Sequence, residues 1–333
     1  MSTSERAAGT STRTRHTSDD GLAATPGRED ASDGSDEFLP PRVVSASRRT
    51  DNPAHYTPWL LNRLSAGFCR YRNAFTGKWL EVDLRPEAVA ALVLWTKNLG
   101  PVLPDLDSIG ARYPFLCHLT VTGYPPSLEP GSPPSETAIA QARTVAARWS
   151  SAHVLWRFDP IILTPETPWA WIEPRFRVAA RGFEGVTTRC YTSIACAYGK
   201  VTRRLAAAGV EWEAPPADQA AEIAVRLAEI AGEHGISVYS CCTPGLVVGS
   251  VQWARCIDPT ALEAISARLT ARLRRAPTRA GCGCYASVDI GAYDTCPSGC
   301  LFCYATNNPA RARRAHAEHD PSAPHLEPST QTR

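Results

Sequence analysis

The segment CPSGCLFCYA, residues 296 to 305, places three thiols, Cys296, Cys300 and Cys303, at the spacing C-x3-C-x2-C. Thiolates on one tight loop can reach three irons of a cubane [4Fe–4S] cluster, and Pro297 and Gly299 suit the bent backbone such a loop needs. The fourth iron then lacks a protein ligand and is open to a substrate or cofactor, as the open position of a catalytic zinc is. Two other readings stand beside this one. A structural zinc takes four closed ligands, and no histidine lies near residues 296–303. Cysteines can also serve simply as small buried hydrophobes.

The chain has 12 cysteines, and five of them fall between 282 and 303. Cys282 and Cys284 would over-fill the first site. With Cys256 and either Cys241 or Cys242, of which Cys242 is taken as the candidate, they supply four thiolates for a second, closed site. That site could hold a second iron–sulfur cluster or zinc. Cys69, Cys117, Cys190 and Cys196 lie in apolar segments and read as core residues. No apolar h-region marks a signal peptide, and the longest apolar runs, such as AVAALVLW (88–95), are too short to span a bilayer. A cytoplasmic protein is therefore expected, where thiols stay reduced and metal or catalytic roles outweigh disulfides. The net charge of +2 gives no global attraction to nucleic acid or membrane.

The elements that must position these thiols are legible as alternating strands and helices. Apolar runs at 42–47, 91–96, 115–122, 153–158, 188–194, 236–240 and 285–290 read as strands. Helices are expected to start at Thr57-Pro58 and to stop at Gly67, to run through Ile223, Leu227 and Ile230, and to run from Asp258-Pro259 through Leu262, Ile265, Leu269 and Leu273. A helix over 168–181 should kink or break at Pro174, and residues 67–84 read as an inserted hairpin. Fully apolar strands alternating with helices predict an α/β fold with a parallel sheet, either an open doubly wound sheet or, preferred for its seven repeats, a (β/α) barrel, complete or incomplete, with the cysteine-rich loop at the C-terminal end of the chain. Residues 1–38 are too polar to bury a core and are expected to be disordered. Residues 39–281 form the barrel body, 282–308 the cysteine-rich segment that completes it, and 309–333 a short helix and a disordered tail.

Polar residues recur where these strands end, which is where β/α barrels build their sites. Lys97, Arg157, Asp159 and Lys200 are the candidates for a catalytic pocket, and several cations there would favour an anionic substrate.

C-x3-C-x2-C with an aromatic before the last cysteine resembles the cluster loop of radical S-adenosylmethionine (SAM) enzymes. Longer stretches are similar to a bacterial family of unknown function: SASRRTD (45–51), WTKN (95–98), WRFDPI (156–161) and CGCYASVDIGAYDTCPSGCLFCYA (282–305). The resemblance implies that Cys296, Cys300 and Cys303 ligate a [4Fe–4S] cluster whose open iron is chelated by SAM. One-electron reduction, from a ferredoxin or flavodoxin, then cleaves SAM to a radical. In those enzymes the loop follows the first strand, whereas here it follows the last. A circular permutation reconciles the two and predicts that strand 285–290 lies beside strand 42–47. Ser45, Ser47, Arg48 and Asp51 then become the candidate cofactor contacts.

The expected function is that of an iron–sulfur, radical-SAM-type enzyme on an unidentified substrate. The alternatives are a non-catalytic module held by zinc or a closed cluster, and a nucleic-acid-binding or repair protein, for which the basic stretches 203–206 and 272–280 are the hint.

Overall fold

The structure, a computed structural model, describes residues 40–74, 76–269 and 273–327. Ten strands are formed: β1 (Arg42–Ala46), β2 (Phe68–Arg72), β3 (Trp79–Asp83), β4 (Val89–Thr96), β5 (Phe115–Thr120), β6 (Val154–Arg157), β7 (Arg189–Thr192), β8 (Ser237–Ser240), β9 (Gln252–Trp253) and β10 (Val288–Asp289). The helices are α1 (Asn52–His55), α2 (Thr57–Ala66), α3 (Leu106–Gly110), α4 (Ser135–Arg148), α5 (Trp169–Phe183), α6 (Gly199–Ala207), α7 (Ala217–Gly232), α8 (Pro259–Glu263) and α9 (Pro309–Ala317).

Eight strands form one parallel sheet in the order β10-β1-β4-β5-β6-β7-β8-β9. The fold is therefore α/β, with β10 and β9 at the two ends of the sheet and no pairing between them among the described residues. The last strand does lie beside the first, with Val44 opposite Val288 and Ser45 opposite Asp289. Residues 68–83 form the antiparallel β2–β3 hairpin outside that sheet.

All eight residues of β4 are buried, because the sheet is covered on both faces. Successive side chains alternate between those faces. Leu92 and Leu94 join Leu119, Trp156, Phe176, Phe183 and Leu227 in the main core. Val93 and Trp95 face the other way, against Leu155, Tyr191, Ile257, Leu262 and the buried Cys241, Cys256, Cys282 and Cys284. The second face is thus covered by the segment that carries the upstream cysteines.

Three local expectations are changed. α5 runs unbroken through Pro174, because Phe176 and Phe183 stack on Trp156 at 4.9 and 4.8 Å and hold the helix to the core. α8 begins where expected, with Asp258 accepting from Thr260 N at 3.2 Å, but ends at Glu263. Ile265, Leu269 and Leu273 instead pack on the second face from irregular backbone. At the C-terminus, residues 319–327, expected to lack structure, lie against α2 and β2. Trp59 Nε1 donates to Ala323 O at 2.9 Å, Arg70 N donates to Pro324 O at 2.7 Å, and Leu326 is buried. The stretch 1–38 and the last six residues fall outside the described residues. Among the described residues no helix is long and apolar enough to cross a membrane.

Candidate metal centre

β10 ends in Asp289, whose carboxylate, 12% exposed, is a hub. It accepts from Ser45 Oγ and Ser47 Oγ (both 2.8 Å), Arg48 N (2.9 Å), Arg49 Nε (3.1 Å) and Gly291 N (3.0 Å). Burial alone would raise its pKa, but the Arg49 and Arg48 guanidiniums beside it hold it below the usual carboxylate range. Beyond this anchor the chain turns at the C-terminal ends of the strands. Thr50 and Thr295 hydroxyls meet at 2.7 Å, and Tyr56 Oη donates to Thr295 O at 2.7 Å. His55 Nε2 and Ser298 Oγ are 2.7 Å apart.

The cysteine loop follows and is tied down on its far side. Leu301 N donates to Leu128 O at 3.0 Å. Arg204 of α6 donates to three loop carbonyls, Leu301 O (2.6 Å), Thr306 O (2.7 Å) and Cys303 O (2.5 Å). Gly299 has φ +75°, a left-handed backbone that its missing Cβ allows. A Cβ on Gly131 would stand 2.6 Å from Ser298 O, so residues 130–132 and the loop are in backbone contact.

All three loop thiols are free and half-buried. Ser298 Oγ is 3.3 Å from Cys296 Sγ, and Cys303 Sγ accepts from Ala305 N at 3.4 Å and Thr306 Oγ1 at 3.7 Å. Burial pushes Cys296 up to about 11 and pushes Cys300 well up, the latter opposed by the Lys97 ammonium. Cys303 acts electrostatically on Cys296, and both act on Cys300. Three thiols on one short loop, with sulfur-directed donors and a nearby ammonium, suit a cluster that carries negative charge.

Lys97, predicted for the pocket, does face this loop, but its Nζ pairs with the buried Glu129 at 2.7 Å. Burial works against the ammonium, and Glu129 and Cys300 outweigh it, so its pKa is raised. Lys97, Thr120, Thr122, Tyr124 and Glu129 line a cavity of about 220 Å³. Arg157 and Asp159 form a buried ion pair, with Ser193 Oγ on the same carboxylate. Lys200 lies on α6, where Nζ meets Asn307 Oδ1 at 3.2 Å and the Tyr293 ring at 5.6 Å.

Of the candidate cofactor contacts, Ser45, Ser47 and Arg48 converge on Asp289, so they are engaged by the protein itself. Arg48 also reaches Ser287 Oγ at 3.1 Å, and its carbonyl accepts from Tyr304 Oη at 2.8 Å, which puts it at the same end of the sheet as the cysteine loop. Asp51 caps α1, accepting from Ala54 N at 3.0 Å and Lys97 N at 2.8 Å. Asp289, Glu129, His55 and Arg204 were not foreseen. Asp289 had a signal, as a polar residue ending an apolar run. Glu129 sits in a proline-rich loop, and Arg204 read only as part of a basic stretch.

The upstream cysteines form a second group on the opposite face of the sheet. Cys241 Sγ lies 3.4 Å from Cys256 Sγ and 3.8 Å from Cys242 Sγ. Cys256 also contacts Cys284, Cys284 contacts Cys282, and Cys282 contacts Cys242, so five thiols make a ring. Arg157 Nη1 donates to Cys256 Sγ at 3.3 Å. Hydrogen bonds from Cys241 and Cys284, together with Arg157, hold Cys256 well below the ordinary thiol range. In both groups the sulfurs meet one another, and among the described residues no three His, Cys, Asp or Glu side chains already surround a common centre.

The segments that build this architecture, from β1 through both cysteine groups to Ala305, are those matched by one family model. That model, described as a domain of unknown function (DUF1848), covers residues 43–305. The chain belongs to the DUF1848 family. The match spans both thiol groups, the Asp289 hub and the Lys97–Glu129 and Arg157–Asp159 pairs, so all of these lie inside the DUF1848 domain. No curated protein matches the chain.

Proposed function

We propose that this DUF1848 protein is an iron–sulfur enzyme of the radical SAM type, with Cys296, Cys300 and Cys303 as ligands of a [4Fe–4S] cluster. The observation that carries the reading is the position of the loop. It leaves the C-terminal end of β10, which pairs with β1, and sits beside the ends of β1 and β4, where Lys97 acts on Cys300 and also lines a cavity of about 220 Å³. On a circularly permuted and incomplete barrel, that is where the first loop of a radical SAM sheet stands.

A bound cluster would supply one electron to a sulfonium such as SAM on its open iron. The chain's own residues have separate tasks. Ala305 N–H and Thr306 Oγ1 donate to Cys303 and hold its sulfur in one orientation. Lys97 places positive charge by Cys300, and Glu129 keeps the ammonium fixed and protonated. Leu301, Phe302 and Tyr124 restrict water at the rim, with Phe302 edge-on to Tyr124 at 5.9 Å. Because Lys97 and Arg157 are each paired with a carboxylate, the charge near the loop is balanced. Of the four pocket candidates, Lys200 carries the case for an anionic substrate, since its partner is an amide.

Anaerobic reconstitution tests the reading. About four iron and four sulfide per chain are expected, with SAM cleavage under dithionite and loss of that iron in Cys300→Ala. Reconstituted protein that holds iron but never cleaves SAM would overturn the enzyme, and iron unaffected by Cys300→Ala would overturn the site.

A further inference from the structure

The upstream thiols have a geometry of their own, independent of the loop. We infer that Cys241, Cys256, Cys282 and Cys284 form a closed tetrathiolate zinc site that fastens residues 254–285 onto the second face of the sheet. These four are the buried members of the ring, whereas Cys242 is half-buried at its edge and meets Arg279. The four come from the end of β8, the stretch after β9 and the C-G-C turn at 282–284, so one ion would join three separate parts of the chain.

The spacing favours a single tetrahedral ion over a cubane. A tetrahedral zinc with Zn–S near 2.3 Å separates its sulfurs by about 3.8 Å, and the Cys241–Cys256 contact is 3.4 Å. Thiolates on different irons of a cubane stand further apart, because the inorganic core lies between them. Charge suits a metal held by four thiolates. Zn²⁺ on four thiolates, with the remaining thiol protons passed to solvent, leaves a site of net charge about −2. Arg157 donates to Cys256, and the partly buried Arg48 acts electrostatically on Cys256 and Cys284, so two guanidiniums already offset charge on this group. Second-shell donors of this kind orient thiolates and offset their charge. Ala254, Ile257, Leu262 and the sheet pack around the four thiols, and four protein ligands leave no coordination position for a substrate.

The test uses the full chain with Cys296, Cys300 and Cys303 all replaced by alanine, so that metal at the loop cannot contribute. About one zinc per chain should remain after gel filtration with EDTA. The cobalt-loaded protein should show the intense visible absorption of tetrahedral thiolate coordination. In that background Cys256→Ser and Cys241→Ser should each lose at least about tenfold in zinc affinity, and Cys242→Ser should keep the wild-type stoichiometry. Cys242→Ser is at the rim and guards against reading a folding failure as ligand loss. Iron with sulfide in place of zinc, octahedral cobalt spectra, or full zinc in Cys241→Ser would each overturn the assignment. Failure of SAM cleavage in the loop experiment leaves this result untouched, since neither readout depends on Cys300.

Discussion

Asp289 gathers five donors at the end of a two-residue strand and thereby fixes both the SASRR segment and the start of the cysteine loop. Asp289→Asn keeps the shape but removes the charge that faces Arg48 and Arg49. Breaking a buried pair from one side costs about 3–5 kcal/mol, which urea unfolding at pH 7 should register. The sign of the pH dependence follows from the depressed pKa. The contribution is complete above the ordinary aspartate range, near pH 4, and is lost as pH falls through the folded-state value. The stability gap between wild type and Asp289→Asn should therefore narrow below about pH 4, and a constant gap down to pH 2.5 would contradict the pairing.

At the scale of elements, the loop depends on parts of the chain far from it in sequence. A methyl group at Gly131 would meet Ser298 Cα at 2.7 Å and Ser298 O at 2.6 Å, with backbone on both sides and no flexible side chain to yield. Gly131→Ala should displace the loop and reduce reconstituted iron while far-ultraviolet circular dichroism stays unchanged. α5 makes the opposite point. Pro174 is exposed and lacks the N–H that would bond back to Ala170, yet the helix persists because its buried face is large. Pro174→Ala should raise stability by about 1–3 kcal/mol, since the interior penalty of proline exceeds its restriction of the unfolded chain. A lower melting temperature would show that the proline curvature is needed for packing on Trp156.

At the scale of the whole molecule, the segment that carries both cysteine groups is held by little regular structure. β10 contributes two paired residues, and residues 254–287 contain one five-residue helix among those described. Much of its attachment must come from side chains and, on the zinc inference, from a metal crosslink. Removing zinc with a thiol-reactive mercurial and a chelator should speed amide exchange across 254–290. β4 and β5, buried on both faces, should keep their protection. Uniform loosening of the whole sheet would mean that this segment folds with the core and not as a unit pinned by thiols.

The seven main strands, the hairpin and the α/β class were legible because apolar runs of strand length alternate with helical periodicity, a local signal. That Cys296, Cys300 and Cys303 share one short loop was equally legible, since that needs only their spacing. What stayed hidden depends on distant partners. Whether Cys241 or Cys242 enters the buried thiol group follows from how β8 ends against Cys256. Ser45, Ser47 and Arg48 looked available until Asp289, more than 240 residues away, met them. Lys97 looked like a free cation until Glu129 neutralised it, whereas the Arg157–Asp159 pair lies two residues apart in sequence and could be read from it. Sequence by itself determined which residues could do chemistry and on which kind of element each would sit. The tertiary structure alone decided which of them face one another, because pairing β10 with β1 brings residues 45–49 and 287–304 into a single polar network.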